Sequence, residues 1–244
     1  IYKKFNDEIV IVGVDNINNF YSPKLKLNRI NDLKKDYKNF IFKKIDITNH
    51  KQMLKIFKKY KFDSVVNLAA QAGVRYSLEH PEKYINSNIF GFFNILDLSK
   101  KFKINHLVFA SSSSVYGEQK RYPFKEYYNI TNPTQLYAAT KVSNEVMAAA
   151  YANLYGMRVT GLRYFTVYGP WGRPDMAIFS FLKNLINKKK INIYNQGNHY
   201  RDFTYIDDIV DGTLKILINK KKFYKKNFNI FNIGNNKPIK LLKL

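Results

Sequence analysis

The stretch His106-Leu107-Val108-Phe109-Ala110-Ser111-Ser112-Ser113-Ser114 decides the fold. His106 to Ala110 is a short apolar run with no in–out alternation. Such a run reads as a strand buried on both faces, which is the signature of a parallel sheet sandwiched between helices. Working outward, Glu8 to Asp15, Phe40 to Thr48, Ser64 to Ala70 and Arg158 to Phe165 read as further strands of the same kind. Between them, Lys51 to Tyr60 has helical spacing, with Met53, Leu54, Ile56 and Phe57 on or near one side. Pro81 to Phe102 reads as a long helix with a proline near its start, and Gln135 to Tyr155 as another, closed by Gly156. Alternating strands and helices predict a doubly wound α/β domain. The rhythm changes after Tyr168, so residues 1–168 are expected to form the main domain. Residues 169–244 are expected to form part of a smaller region, with some elements returning to the main sheet.

Composition narrows the chemistry. The chain has 244 residues and no cysteine, which excludes disulfides, thiolate metal sites and a cysteine nucleophile. His50, His80, His106 and His199 show no metal-ligand spacing, so no metal is expected. The formal net charge is +23, yet 34 of the 41 basic residues are lysine. Asn and Ile are swollen alongside Lys, and these residue types share AT-rich codons. The charge therefore reads as compositional drift, and the runs Lys188-Lys189-Lys190 and Lys220-Lys221-Lys222 as solvated surface. No nucleic-acid partner is expected. No run of about 18 apolar residues exists, and the first residues lack the apolar core of a secretory signal. No membrane partner and a cytoplasmic location are expected.

Three features carry chemistry. Tyr137-Ala138-Ala139-Thr140-Lys141 puts a phenol and an ammonium one helical turn apart on one face. A nearby cation stabilises phenolate, whose parent phenol has a pKa of about 10, and so suits it to take a proton near neutral pH. The serine run follows a strand, and ligands of open α/β sheets bind beyond the carboxyl ends of strands. Hydroxyls there can donate to and accept from a sugar alcohol. Asp15 and Asp46 end two strands, where a carboxylate can accept from the vicinal hydroxyls of a ribose; capping of the following helix is an equal reading for Asp46.

In this order, Asp15, Asp46, Asn67-Leu68-Ala69-Ala70, Ser111 to Gly117, Tyr137-x-x-x-Lys141 and Arg163-Tyr164-Phe165 resemble the extended short-chain dehydrogenase/reductase family. The stretches Gln71 to Ser77, Arg163 to Met176 and Arg201 to Ile209 are similar to those of UDP-glucuronate 4-epimerases. The resemblance covers nearly the whole chain. It implies a Rossmann-type NAD-binding domain over 1–168 and a partial substrate-binding region over 169–244. It implies that Tyr137 is the catalytic base, that Lys141 holds the nicotinamide ribose and lowers the Tyr137 pKa, and that Ser112 bonds the reacting hydroxyl. Asp15, Asn16, Asp46, Ile47, Ala69, Ala70, Gln71, Asn88 and Tyr164 are implied at the NAD site. Arg75, Ser113, Ser114, Thr166, Arg173 and Arg201 are implied at the UDP-sugar site, Arg201 on the diphosphate. A homodimer through a four-helix bundle of Pro81 to Phe102 and Gln135 to Tyr155 is implied as well.

The implied reaction inverts C4 of a UDP-sugar through a 4-keto intermediate, with UDP-glucuronate and UDP-galacturonate as the pair. A UDP-glucose or UDP-N-acetylglucosamine 4-epimerase is the alternative. A 4,6-dehydratase adds an acidic pair after the serine or threonine. Here Ser113-Ser114-Val115 follows instead, which counts against it. Against the family pattern, the chain opens with what reads as the second strand, so the fold is expected to lack its first strand and glycine-rich turn. Weak NAD binding by this chain alone, or a catalytically inactive fragment, is the expectation that follows from that reading.

Overall fold

The computed structural model describes residues 1–5, 8–73, 76–218 and 226–243. Nine strands are named in chain order: β1 (Ile11–Asp15), β2 (Phe40–Lys44), β3 (Ser64–Asn67), β4 (His106–Ser112), β5 (Val159–Tyr164), β6 (Thr166–Tyr168), β7 (Tyr200–Tyr205), β8 (Phe228–Ile233) and β9 (Pro238–Lys240). The main sheet is parallel, in the order β3-β4-β5-β8. A separate parallel ladder joins β1 to β2, and a small sheet has the order β6-β7-β9. The arrangement is a Rossmann-type α/β fold.

Burial along β4 explains the decisive stretch. Leu107 and Phe109 pack into a core with Met53, Phe57, Leu96, Leu98 and Val159 on one face of the sheet. Val108 turns to the other face and meets Leu162 and Ile216. Each such fully buried side chain contributes about 1.5–3 kcal/mol. Gly161 of β5 makes room for this packing: a Cβ there would lie 2.7 Å from the Phe109 ring and 2.5 Å from Ile230.

Helices cover the sheet. The helix His50–Tyr60 is capped by Asn49, whose side chain accepts from the Gln52 amide at 3.1 Å. The cap reading of Asp46 is thus answered, because Asn49 stands immediately before the first turn. The long helix Leu136–Tyr155 ends at Gly156, which adopts φ 63°. Small residues Ala138, Ala148 and Ala152 on its inner face are fully buried.

Two departures from the sequence reading have local causes. The segment read as one helix from Pro81 to Phe102 is α-helical at Pro81–Tyr84 and Phe92–Lys101, with a π-helical turn at Ile85–Gly91 between them. Asn88 is drawn inward there by the Gln71 backbone, and Gly91 admits Ile47, whose Cδ1 would lie 2.7 Å from a Cβ. Single π turns inside helices recur at functional sites. The helix Pro23–Asp36 was unmarked by amphipathic contrast, since its lysines interrupt the apolar stripe. Its start at Ser22-Pro23 is the signal that could have revealed it.

The helix Ala177–Ile186 is followed by the exposed Lys188 to Lys190; Lys220 to Lys222 lie outside the described residues. Among the described residues, no helix is long and apolar enough to cross a membrane.

Candidate active site

The carboxyl ends of the parallel strands open into one cleft of about 2260 Å³. That is well above the roughly 300–1,000 Å³ of a pocket for one small ligand. Ser112 sits at the last position of β4, and Ser113 to Tyr116 form a tight 3-10 turn. Ser112 Oγ accepts from the Ser114 amide at 3.2 Å and from Ser114 Oγ at 3.0 Å. Gly117 ends the turn at φ 56°, where a Cβ would come within 2.4 Å of the Asn132 carbonyl oxygen.

The long helix lays three side chains, one turn apart, against this strand end. Tyr137 shares a hydrogen bond with Ser112. Lys141 Nζ donates to the Ala110 carbonyl at 2.7 Å. Glu145 accepts from Ser111 Oγ at 2.5 Å. Burial pushes the Tyr137 phenol up, while the Ser112 bond and the Arg173 guanidinium act against it. Lys141 is turned to the Ala110 carbonyl, with its Nζ 5.9 Å from the Tyr137 ring centre, and the Arg173 guanidinium is a cation that acts on the phenol. Burial draws the Lys141 ammonium itself down to about 8, with Glu145 opposing the fall.

At the far end, Asp15 and Asp46 close β1 and follow β2. Asp15 Oδ1 accepts from the Ile17 amide at 2.6 Å, and Lys26 Nζ lies 3.6 Å away. Asp46 accepts from Asn16 Nδ2 at 2.7 Å and from Thr48 Oγ1 at 2.7 Å. Burial raises the Asp46 carboxyl, but these bonds and the Thr48 amide together hold it below its ordinary value. Its stabilising contribution is therefore present above the unfolded carboxylate range and is lost as pH falls through the depressed folded value. Asp46→Ala is expected to cost about 1 kcal/mol at neutral pH, because partial exposure discounts the roughly 1.5–3 kcal/mol of hydrogen bonds to a charged group. Thermal melts at pH 7 and pH 3 check this: the gap between variant and wild type should narrow in acid.

The remaining candidates fall into three groups. Ile47, Ala69, Ala70, Gln71, Ser113, Ser114, Tyr164, Thr166, Arg173 and Arg201 line the cleft with the groups just described. Asn88 does not; it is buried, holding the Gln71 backbone and donating to Thr140 Oγ1 at 3.0 Å, so it braces the cleft-lining Gln71 segment from behind. Arg75 lies outside the described residues. Tyr164 ties its hydroxyl to Thr213 at 2.9 Å. Arg173 forms a two-bond pair with Asp175 at 2.9 and 2.6 Å. Arg201 donates to the Tyr200 carbonyl at 3.2 Å, and burial alone lowers its pKa. A guanidinium so placed on a cleft wall suits phosphate.

Sequence reasoning passed over several residues here. Arg29 of the helix Pro23–Asp36 donates to the Trp171 carbonyl at 2.5 Å, anchoring a turn in which Trp171 adopts φ 61°. Tyr84 donates to the Ala72 carbonyl at 2.9 Å and also meets the Gly73 carbonyl, and its ring stands edge-on to Tyr137 at 6.3 Å. Glu145 lies four residues beyond Lys141, a spacing visible in the sequence.

These residues fit NAD. The Asp15 and Asp46 carboxylates can accept from the hydroxyls of a ribose, the Tyr137 phenol and the Lys141 ammonium can bond another, and the cleft that they line has volume for a second nucleotide. That combination places the protein among Rossmann-type enzymes that use a bound pyridine nucleotide on a second, sugar-bearing ligand. The chain belongs to the NAD dependent epimerase/dehydratase family, which it matches over residues 7–234, within the extended short-chain dehydrogenase/reductases. It is 48% identical over 247 residues to protein CapI of Staphylococcus aureus, covering 96% of this chain and 73% of that protein. It is 46% identical over 232 residues to the UDP-glucuronate 4-epimerase of Thermodesulfobacterium geofontis, covering 95% and 69%. Its structure resembles the UDP-glucuronic acid 4-epimerase of Bacillus cereus solved with UDP-glucuronic acid and NAD, with a TM-score of 0.89, 32% identity, and coverage of 98% and 74%.

Proposed function

We propose that this chain inverts C4 of a UDP-sugar, converting UDP-glucuronate to UDP-galacturonate. The observation that carries this reading is a shared cleft: the hydroxyls of Ser113, Ser114 and Thr166 and the guanidinium of Arg173 line it together with Tyr137 and Ser112. Bound NAD supplies the hydride acceptor and donor for C4. Tyr137 takes the proton of the 4-hydroxyl, and Ser112 bonds the same oxygen. One Lys141 N–H is held by Ala110, which leaves two for the nicotinamide ribose. Arg201 pairs with the diphosphate. A 4-keto uronate is a β-keto acid and loses CO₂ when its carboxylate aligns with the carbonyl. Ser113, Ser114, Thr166 and Arg173 hold that carboxylate out of alignment.

The exposed apolar side chains Phe90, Phe93, Val146 and Leu154 on the two long helical segments support a homodimer through a four-helix bundle.

The test is turnover with added NAD, resolved by chromatography of the nucleotide sugars. UDP-galacturonate should form, with little UDP-pentose from decarboxylation and slower conversion of UDP-glucose. Faster turnover of UDP-glucose than of UDP-glucuronate would assign a neutral-sugar epimerase instead.

A further inference from the structure

Strand register places three polar residues in one row. Ser111 of β4 pairs with Arg163 of β5, and Arg163 pairs with Asn232 of β8. This row lies one residue below the level of Ser112 and Tyr164. Glu145 reaches it from the long helix. Arg163 holds the Glu145 carboxylate with two bonds, Nε to Oε1 at 2.9 Å and Nη2 to Oε2 at 2.7 Å. Both side chains are almost fully buried, at 3% and 5% exposure. The other guanidinium nitrogen donates to Tyr116 Oη at 2.9 Å and to the Glu126 carbonyl at 3.1 Å. Tyr116 Oη in turn donates to Asn232 Oδ1 at 2.7 Å.

The consequence is a zipper between helix and strand. Tyr137, Lys141 and Glu145, four residues apart, grip Ser112, Ala110 and Ser111. Glu145 is the anchored tooth, since Arg163 fixes it from the neighbouring strand. We propose that Glu145, locked by Arg163 and Ser111, is a positioning residue that sets Tyr137 and Lys141 against β4 and keeps Lys141 an ammonium. The charge argument follows from the surroundings. Burial works against the Lys141 charge, and Glu145 is the group that works for it. The other ionisable groups around the zipper are Tyr137 on the same helix, Arg163 from β5, Tyr116 beyond it, Tyr84 packed on the Tyr137 ring, and Arg173 acting on Tyr137. None of these is an anion at neutral pH; the Glu126 carboxylate accepts from the Asn232 amide and acts on Tyr116, and Glu145 is the carboxylate that acts on Lys141.

The catalytic part of this inference rests on the function proposed above; the charge state of Lys141 does not. The test is an NMR titration of ¹³Cε-labelled lysine in the whole chain without ligands, with the Lys141 signal identified by its loss in Lys141→Met. Glu145→Gln removes the anion and leaves Arg163 unopposed, so the Lys141 midpoint should fall by about one pH unit or more. Glu145→Gln with Arg163→Met removes both charges and should fall between that variant and wild type. A pair that only holds the fold together would lower the melting temperature and leave all three midpoints equal, which would overturn the proposal. If Glu145→Gln does not fold, Glu145→Asp should keep the wild-type midpoint while the double variant lies lower; coincidence of both with wild type overturns the proposal equally. Epimerisation assays on the same variants should show kcat falling with KM little changed. If the Lys141 midpoints shift in this order but wild type turns over no UDP-sugar, the functional reading fails and the charge role stands.

Discussion

Tyr137→Phe should lower kcat for the UDP-sugar by about 10²–10⁴-fold, the range that general acid–base groups contribute. The variant loses one oxygen and keeps the ring that packs against Tyr84. Folding and ligand binding should therefore persist, with KM and melting temperature near wild type. Steady-state kinetics beside a thermal melt separate the two effects. Wild-type activity should also fall on the alkaline side as the pH passes about 8, where Lys141 loses the charge that burial already disfavours. A Tyr137→Phe enzyme within a few-fold of wild type would move the base elsewhere.

Arg163→Met should destabilise the fold by about 3–5 kcal/mol, the usual cost of stripping one partner from a buried ion pair. Glu145 would keep the Ser111 bond and lose both guanidinium bonds in a place with almost no water. For a chain of this size the melting temperature should drop by about 6–20 °C. Urea unfolding followed by circular dichroism checks the magnitude. Arg163→Lys should recover only part of it, because an ammonium cannot make the forked contact. A loss below about 1 kcal/mol would class the pair with exposed salt bridges, which are worth little.

Much of the fold was legible because it is written locally. The run Leu107 to Ala110 has no polar residue to face solvent, and β4 is buried on both faces accordingly. Tyr137 and Lys141 share a helix face because the spacing demands it. What local pattern cannot show is register. Ser111, Arg163 and Asn232 are far apart in the chain and become neighbours only when β4, β5 and β8 align. The direction of Lys141 is the same kind of fact: the motif puts an ammonium near a phenol, and the packed strand decides that it donates to Ala110. Asn88 sits in a stretch that reads as uninterrupted helix, so the π turn that carries it inward was hidden. Arg29 reaches Trp171 across 142 positions, beyond any local signal.

The +23 charge takes on a different meaning beside this geometry. Four cations at or beside the cleft are held in place: Lys141 on the Ala110 carbonyl, Arg163 on Glu145, Arg173 on Asp175, and Arg201 on the cleft wall.

The most direct test of the central claim, reversible oxidation at C4, uses UDP-glucuronate deuterated at C4, with NAD added, in ordinary water. Proton NMR and mass spectrometry of the UDP-galacturonate formed should show the deuterium still on C4, since the hydrogen removed from that carbon returns to it. Loss of the label to solvent would contradict the account.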